Sequence, residues 1–319
     1  MLSLLTKAAS CFLLVDNLNF SFRMEEDKRR RFGGRFLTEE DNVFKHNAWD
    51  DVEWTEEQKQ KAQEQVDLNA KEKLPEEKRE HYESEAHNYW DKFYNIHDNK
   101  FFKDRNWLFT ELPELGDLDK EERSCALMEI GCGSGSTVYP ILQTIRNKNF
   151  KLYCCDFAPK AVELVRTNPD FEPDRCFPFV CNVTKDEDWE KSPVVPESLD
   201  FVLMIFALSA MEPGTMEVAV ARAFKYLKPG GLLFFRDYGE HDLAQLRFKA
   251  GKCIDDKLYV RGDGTRCYFF NQEFMEDLFI KKSGFKEKHF KVDRRLQVNR
   301  GKQLKMFRVW VQGIYEKPQ

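Results

Sequence analysis

The sequence predicts an α/β fold, a mostly parallel sheet flanked by helices, with a helical N-terminal extension and inserted segments. Three segments, in order, carry that prediction. In the first, Leu127-Met128-Glu129-Ile130 reads as a buried strand that runs into the turn Gly131-Cys132-Gly133-Ser134-Gly135 and then a helix start. Glycine belongs in such a turn because a Cβ would block close approach of a ligand to the backbone and disfavour positive φ. In the second, Phe150-Lys151-Leu152-Tyr153-Cys154-Cys155 is an apolar run that ends in Asp156. In the third, Leu227-Lys228-Pro229-Gly230-Gly231 stops a helix, and Leu232-Leu233-Phe234-Phe235-Arg236-Asp237 follows as a strand. Alternation of strands and helices calls for parallel pairing with right-handed crossovers.

Together these segments have the character of a Rossmann-like, class I fold that binds S-adenosylmethionine. The glycine spacing is G-x-G-x-G, and the G-x-G-x-x-G of dinucleotide binders fits less well. Gly131 and Gly133 are therefore cofactor-binding candidates. An acid at the tip of the second strand accepts from the two vicinal ribose hydroxyls, and Asp156 has that place; capping of the next helix is the plainer alternative. Asn182 and Val183 follow the third strand, where adenine is read by a side-chain acceptor and a neighbouring backbone N–H. Ile205 lies at the end of the fourth strand, in Met204-Ile205-Phe206-Ala207-Leu208-Ser209-Ala210, which lacks the Asn-Pro-Pro-Tyr or Asp-Pro-Pro-Tyr run of many amino-methylating enzymes. Asp237 ends the fifth strand on the ligand-binding edge and is the candidate catalytic carboxylate, with Arg236 as its alternative ion-pair partner.

The whole chain sets bounds. Its 319 residues are 42% hydrophobic and 14% aromatic, enough for a sizeable core. A net charge of −5 gives no global field toward nucleic acid, so RNA contact has to come from local patches. Nine cysteines, an odd number without a C-x-x-C pair, read as reduced thiols, and no metal site is expected. The apolar run Leu2 to Val15 is too short and interrupted to span a bilayer. Residues 1–23 are read as a dispensable extension ahead of Met24, or else a mitochondrial presequence.

Residues 24–124 form the N-terminal region and 125–319 the catalytic domain. Lys28 to Phe36 is a basic arm with aromatic residues. Thr55 and Gln58 form a capping box for a helix to Asn69, and a second helix runs from Pro75 to about Ile96. Its stripe of Tyr82, Ala86, Tyr89, Trp90, Phe93 and Tyr94 recurs at helical spacing, as core or as a cofactor lid. Residues 116–123 are an acidic linker. Strands are expected at Ala126–Ile130, Lys151–Cys155, Phe177–Cys181, Leu199–Phe206, Gly231–Arg236 and Phe307–Ile314. Helices fit at about Val138–Arg146, Ala161–Thr167, Met216–Tyr226 and Gln272–Ser283. Gly239 to Thr265 is an insertion for substrate recognition. Arg261 and Arg266 flank a glycine-hinged loop suited to phosphate or base contacts. Asp293 to Lys305, with Arg294 and Arg295, reads as a basic hairpin for RNA, against a charge-protected edge strand.

Several segments outside the cofactor core carry a resemblance: Phe101 to Arg105, Arg236 to Gly239, Gln245 to Lys249, Tyr259 to Arg266, Asp293 to Arg300 and Arg308 to Trp310. From about Arg31 to Pro318 the chain resembles the eukaryotic methyltransferase-like tRNA 3-methylcytidine methyltransferases, in the branch acting on threonine and some arginine tRNAs, with Phe44 to Trp54 as the branch signature. The resemblance implies that Trp90 and Tyr94 cover S-adenosylmethionine, and that Gly131, Asp156, Asn182, Val183 and Ile205 contact it, Asn182 replacing the family's Asp. It implies methylation of cytidine 32 in the anticodon loop, tRNA held between the N-terminal segment and the C-terminal insertions, and an accessory tRNA-binding protein or aminoacyl-tRNA synthetase as a possible partner. A cytoplasmic location is expected, or a mitochondrial one if residues 1–23 are a presequence. The rival readings are a methyltransferase for another RNA, a protein or a small molecule, and a non-catalytic RNA-binding scaffold.

Overall fold

A computed structural model describes residues 34–38, 42–120 and 124–319. The extension 1–23 and the basic residues Lys28 to Arg31 lie outside the described residues. Strand β1 is Ala48–Asp50, followed by helices α1 (Glu56–Ala70), α2 (Glu76–Ser84) and α3 (Ala86–His97). The alternating part runs β2 (Cys125–Ile130), α4 (Val138–Thr144), β3 (Phe150–Asp156), α5 (Pro159–Thr167), β4 (Cys176–Val180), β5 (Leu199–Ile205), α6 (Pro213–Tyr226) and β6 (Leu227–Tyr238). The insertion supplies β7 (Cys253–Asp255), β8 (Leu258–Val260) and β9 (Arg266–Tyr268), and the chain closes with β10 (Lys286–Asn299) and β11 (Leu304–Glu316).

The main sheet has eight strands in the order β1-β10-β11-β6-β5-β2-β3-β4. From β4 to β6 the pairs are parallel, and β11, β10 and β1 then add antiparallel. All six residues of β2 are buried, as expected for a parallel strand covered on both faces. The order reverses between β2 and β5, so the loops after these strands diverge and leave a crevice at their carboxyl ends. Gly131 and Ala207 meet there: a Cβ on Gly131 (φ +74°) would lie 2.5 Å from that of Ala207.

The expected strands and helices of the catalytic domain are present, with ends shifted by a few residues. The capping box also forms, with Gln58 N donating to Thr55 Oγ1 at 3.2 Å and Thr55 N to Gln58 Oε1 at 2.9 Å. Three features differ from expectation. The helix from Pro75 breaks at Glu85 (φ −93°, ψ 6°), giving α2 and α3. The segment Gln272 to Lys282 is α-helical for one turn and then widens to a π-helix. The region 24–124 also contributes β1 to the sheet, paired with β10 in the register Trp49↔Leu296. The indole of Trp49 is buried with Leu296 and Val298, a pairing no local pattern announces.

The basic hairpin is real as a hairpin, since β10 and β11 pair along their lengths around a turn at Arg300 to Gln303. Its two arginines differ. Arg295 is 8% exposed. Its guanidinium lies 2.9 Å from Asp293, 3.2 Å from Glu111 and 3.5 Å from Asp50. Arg236 joins the same cluster through Asp293 at 2.5 Å, between the rings of Trp107 and Trp310. The expectations that Arg295 meets RNA, and that Arg236 pairs with Asp237, are both corrected. Three carboxylates and two arginines from β1, β6, β10 and the 108–111 turn offset one another's charge, because a buried charge is tolerated only with partners. Arg294, its neighbour on β10, points to the other face and is half-buried.

Candidate active site

The crevice between the β2 and β5 loops opens into a cavity of about 450 Å³. The β2 loop supplies its floor. Gly131, Gly133 and Gly135 all have positive φ, and a Cβ on Gly133 would come within 2.6 Å of the Tyr94 hydroxyl. The turn is tied to β3 by Gly131 N and Cys132 N, which both donate to the Cys155 carbonyl at 2.8 and 2.9 Å. Asp156, at the end of β3, accepts from Gly133 N and Ala158 N, each at 3.0 Å. Burial lifts its carboxyl to about 6, with the backbone donors at Ala158 and Gly133 opposing the rise. One bond ties the carboxylate to the glycine turn at Gly133 and the other to the start of α5 at Ala158; a carboxylate has roughly four lone-pair sites, so acceptor capacity remains on the cavity side.

Asn182 and Val183 continue the wall beyond β4. Asn182 Oδ1 accepts from Thr184 N at 3.0 Å and Thr184 Oγ1 at 2.7 Å, which fixes the loop and occupies the amide oxygen expected to read the adenine. The opposite wall comes from α2 and α3. Phe93 and Tyr94 are buried and pack on Ala158 and Ala161 around α5. Trp90 is half-buried, stacks on Tyr94 with centroids 6.0 Å apart, and faces the cavity. The aromatic stripe is thus core on one side and cavity wall on the other.

A second cavity of about 160 Å³ shares Trp90, Tyr94, Gly131 and Phe206 with the first and adds Gly133, Ile205, Tyr238 and Arg261. All eight cofactor-binding candidates therefore line one or both of two joined cavities. Arg261 lies over the Tyr238 ring at 5.7 Å and donates to the Arg266 carbonyl at 3.0 Å. Gly264 (φ +87°) lets the same loop close under Tyr89, whose ring atoms come within 2.1 Å of a would-be Cβ. The other arginine of this loop goes elsewhere. Arg266 is 5% exposed, pairs with Glu83 and donates to the Ala210 carbonyl at 3.2 Å. It closes the rim of the cofactor cavity onto α2 and has no route to an outside phosphate, so that part of the substrate expectation is corrected.

Asp237 also departs from expectation. It is fully buried and lines neither cavity. Its Oδ2 accepts from Ser209 N and its Oδ1 from Tyr238 N, both at 2.9 Å. Burial lifts this carboxyl to about 6 against those bonds. It positions Ser209 and Tyr238, which do face the second cavity, and does not itself meet the reacting base.

Three wall groups were not singled out from the sequence. Glu83 and His87 come from the α2–α3 junction, visible only once that helix breaks. Arg105 was quoted within a motif but given no role. Its Nη1 donates to Thr137 Oγ1 at 2.8 Å and the Ile205 carbonyl at 3.3 Å, and lies 3.6 Å from the buried Glu129 carboxylate. Burial pushes Glu129 up to about 7, and Arg105 opposes that rise.

A glycine cradle, an acid at the tip of β3 and an adenine-side loop on this strand order define an S-adenosylmethionine-dependent class I methyltransferase, and the residues present fit that cofactor. A family model described as a methyltransferase domain matches residues 128–233. The tRNA N(3)-cytidine methyltransferase METTL2 of Xenopus tropicalis is 46% identical, over 92% of this chain and 96% of its own. That of Drosophila melanogaster is 47% identical over 90% and 88%. The tRNA(Thr) (cytosine(32)-N(3))-methyltransferase of Saccharomyces cerevisiae is 44% identical over 93% of this chain and 47% of its own length. The chain belongs to the family of tRNA N(3)-cytidine methyltransferases, and its cofactor is S-adenosylmethionine.

Proposed function

We propose that this enzyme forms N(3)-methylcytidine at cytidine 32 in the anticodon loop of threonine tRNA and some arginine tRNAs. The observation that carries the reading is the junction of the two cavities: one of about 450 Å³, lined by the candidate cofactor residues, shares Trp90, Tyr94, Gly131 and Phe206 with a smaller, aromatic one of about 160 Å³. A single flipped base suits the smaller cavity, since N3 is reachable only out of the stack. When bound, S-adenosylmethionine supplies a methyl carbon on a sulfonium; the N3 lone pair takes it as the C–S electron pair returns to sulfur. Neutral cytidine carries that lone pair already, so no base has to remove a proton first. The chain's task is alignment and stabilisation of the cationic product ring. The aromatic walls and the buried acids behind them favour that charge.

The RNA contact is assigned to the hairpin tip, where Arg300, Lys302 and Lys305 stand exposed, with Arg261 reaching the base cavity. Lys28 to Arg31, outside the described residues, add further positive charge to the chain for the same RNA. No helix among the described residues is long and apolar enough to cross a membrane. Cytoplasmic location, an accessory tRNA-binding partner and the dispensability of residues 1–23 belong to the same proposal. The test is methylated-nucleoside analysis of threonine tRNA transcripts incubated with the purified protein and S-adenosylmethionine. The expected product is 3-methylcytidine, absent when cytidine 32 is replaced by uridine. Undiminished 3-methylcytidine in that transcript would refute the position, and none in either would refute the activity.

A further inference from the structure

Among the described residues, seven non-glycine residues have positive φ, and six of them are Asp, Glu, His, Lys or Gln. The seventh is Phe206, at φ +55°. A bulky aromatic residue in the left-handed region is disfavoured by its own Cβ, and such outliers persist where the surroundings over-determine them. Here the surroundings do. Phe206 N donates to the Arg236 carbonyl at 2.8 Å, which extends the β5–β6 ladder by one residue. The next residue, Ala207, is jammed against Gly131. The ring is thereby turned out of the β5 strand end into the junction of the two cavities, where it lines both. Arg105 lies over it at 5.6 Å, and Tyr238 packs 5.0 Å away at 56°. This position follows Ile205, where the amino-methylating Asn-Pro-Pro-Tyr run is missing.

We propose that Phe206 is a catalytic residue, an aromatic wall held in a strained backbone conformation against which the flipped pyrimidine stacks as it gains positive charge. The inference rests on the tRNA methylation reading above. A π-face accepts any base, and attracts a ring that becomes cationic more than a neutral one. The wall would therefore act more strongly on the transition state than on the bound substrate. The strain also separates this role from a packing role. Asparagine tolerates the left-handed region far better than phenylalanine, so Phe206→Asn relieves the backbone while removing the ring.

The experiment compares Phe206→Tyr, Phe206→Leu and Phe206→Asn for melting temperature, S-adenosylhomocysteine affinity, and kcat and KM on threonine tRNA. Tyr is expected to keep activity. Leu and Asn are expected to lose kcat/KM by about 10- to 100-fold, mostly in kcat. The Asn variant should melt no lower than the wild type, and cofactor affinity should change less than kcat/KM. Wild-type kcat/KM in the Leu variant overturns the proposal. So does a lower melting temperature in the Asn variant with cofactor affinity falling in step with activity, which would make Phe206 a packing or cofactor residue. A wild-type protein that methylates no tRNA sinks the functional reading first, and this inference with it.

Discussion

The two walls of the site are built in opposite ways. The cofactor side is local: the glycine turn follows β2, Asp156 follows β3, and each is held by backbone groups at most a strand away. The side built from the hairpin and the insertion is assembled from distant chain. Arg295 on β10 meets Asp50 on β1 and Glu111 from the N-terminal region, and Tyr89 on α3 closes onto Gly264 of the insertion. Local construction lets a single residue be replaced with a single consequence. Long-range construction makes charged side chains that look alike in sequence differ entirely in duty.

The sharpest break in this contrast is expected at Arg295. Arg295→Glu places an uncompensated carboxylate beside Asp293, Glu111 and Asp50. It should destabilise the fold by about 3–5 kcal/mol, read as a fall in melting temperature, with any loss of tRNA binding following from unfolding. A stable Arg295→Glu protein that has lost only tRNA binding would restore that residue to the RNA surface.

Next in size is the cofactor side. Asp156→Ala removes charged acceptors from the ribose and from Gly133 N, and should weaken S-adenosylmethionine binding by about 100-fold or more, measured by calorimetry. The same carboxyl gives a pH signature. Ribose binding uses the ionised form, and the group titrates near 6, so affinity should be flat above about pH 7 and fall as pH drops through 6. Because the folded value is raised above 3.8, ionisation opposes folding. Relief of that strain on acidification should favour the apo fold between about pH 6 and 4 as binding weakens. An affinity that does not change from pH 7.5 to 5.5 would remove Asp156 from the ribose.

A smaller and more selective effect is expected at the hairpin tip. Reversing Arg300, Lys302 and Lys305 together should leave melting temperature and cofactor affinity unchanged. It should lower the dependence of log K on log salt for tRNA by about 2–3. The unaltered slope would move the phosphate contacts elsewhere.

The smallest effect separates wall from core within one helix face. Trp90→Ala should cost about tenfold in cofactor affinity with little change in apo melting temperature, since Trp90 is half-buried and faces the cavity. Phe93→Ala, in the buried cluster with Ala158 and Ala161, should destabilise by about 3–5 kcal/mol. Equal destabilisation by both would make Trp90 a core residue and end its role as a lid.

What the sequence determined by itself was encoded by near neighbours. The parallel strands, the Thr55 capping box and the placing of Gly131, Asp156, Asn182 and Val183 around one crevice follow from runs of apolar residues, from glycine and from one acid at a strand end. Those signals act over a few residues, and the reversal of strand order then brings the loops together. Tertiary structure alone decided which charges are free. Arg266, Arg294, Arg295 and Arg300 are indistinguishable as members of basic loops. Only the fold seals the first against Glu83 and the third among carboxylates, leaving Arg300 at the tip. It also decided that Asp237 faces Ser209 and not the cavity, and that Phe206 is turned into it. Side-chain direction at a strand end depends on the backbone angle of one residue and on what the neighbouring loop forbids, and here Gly131 and Ala207, distant in sequence, approach too closely to admit a Cβ on Gly131.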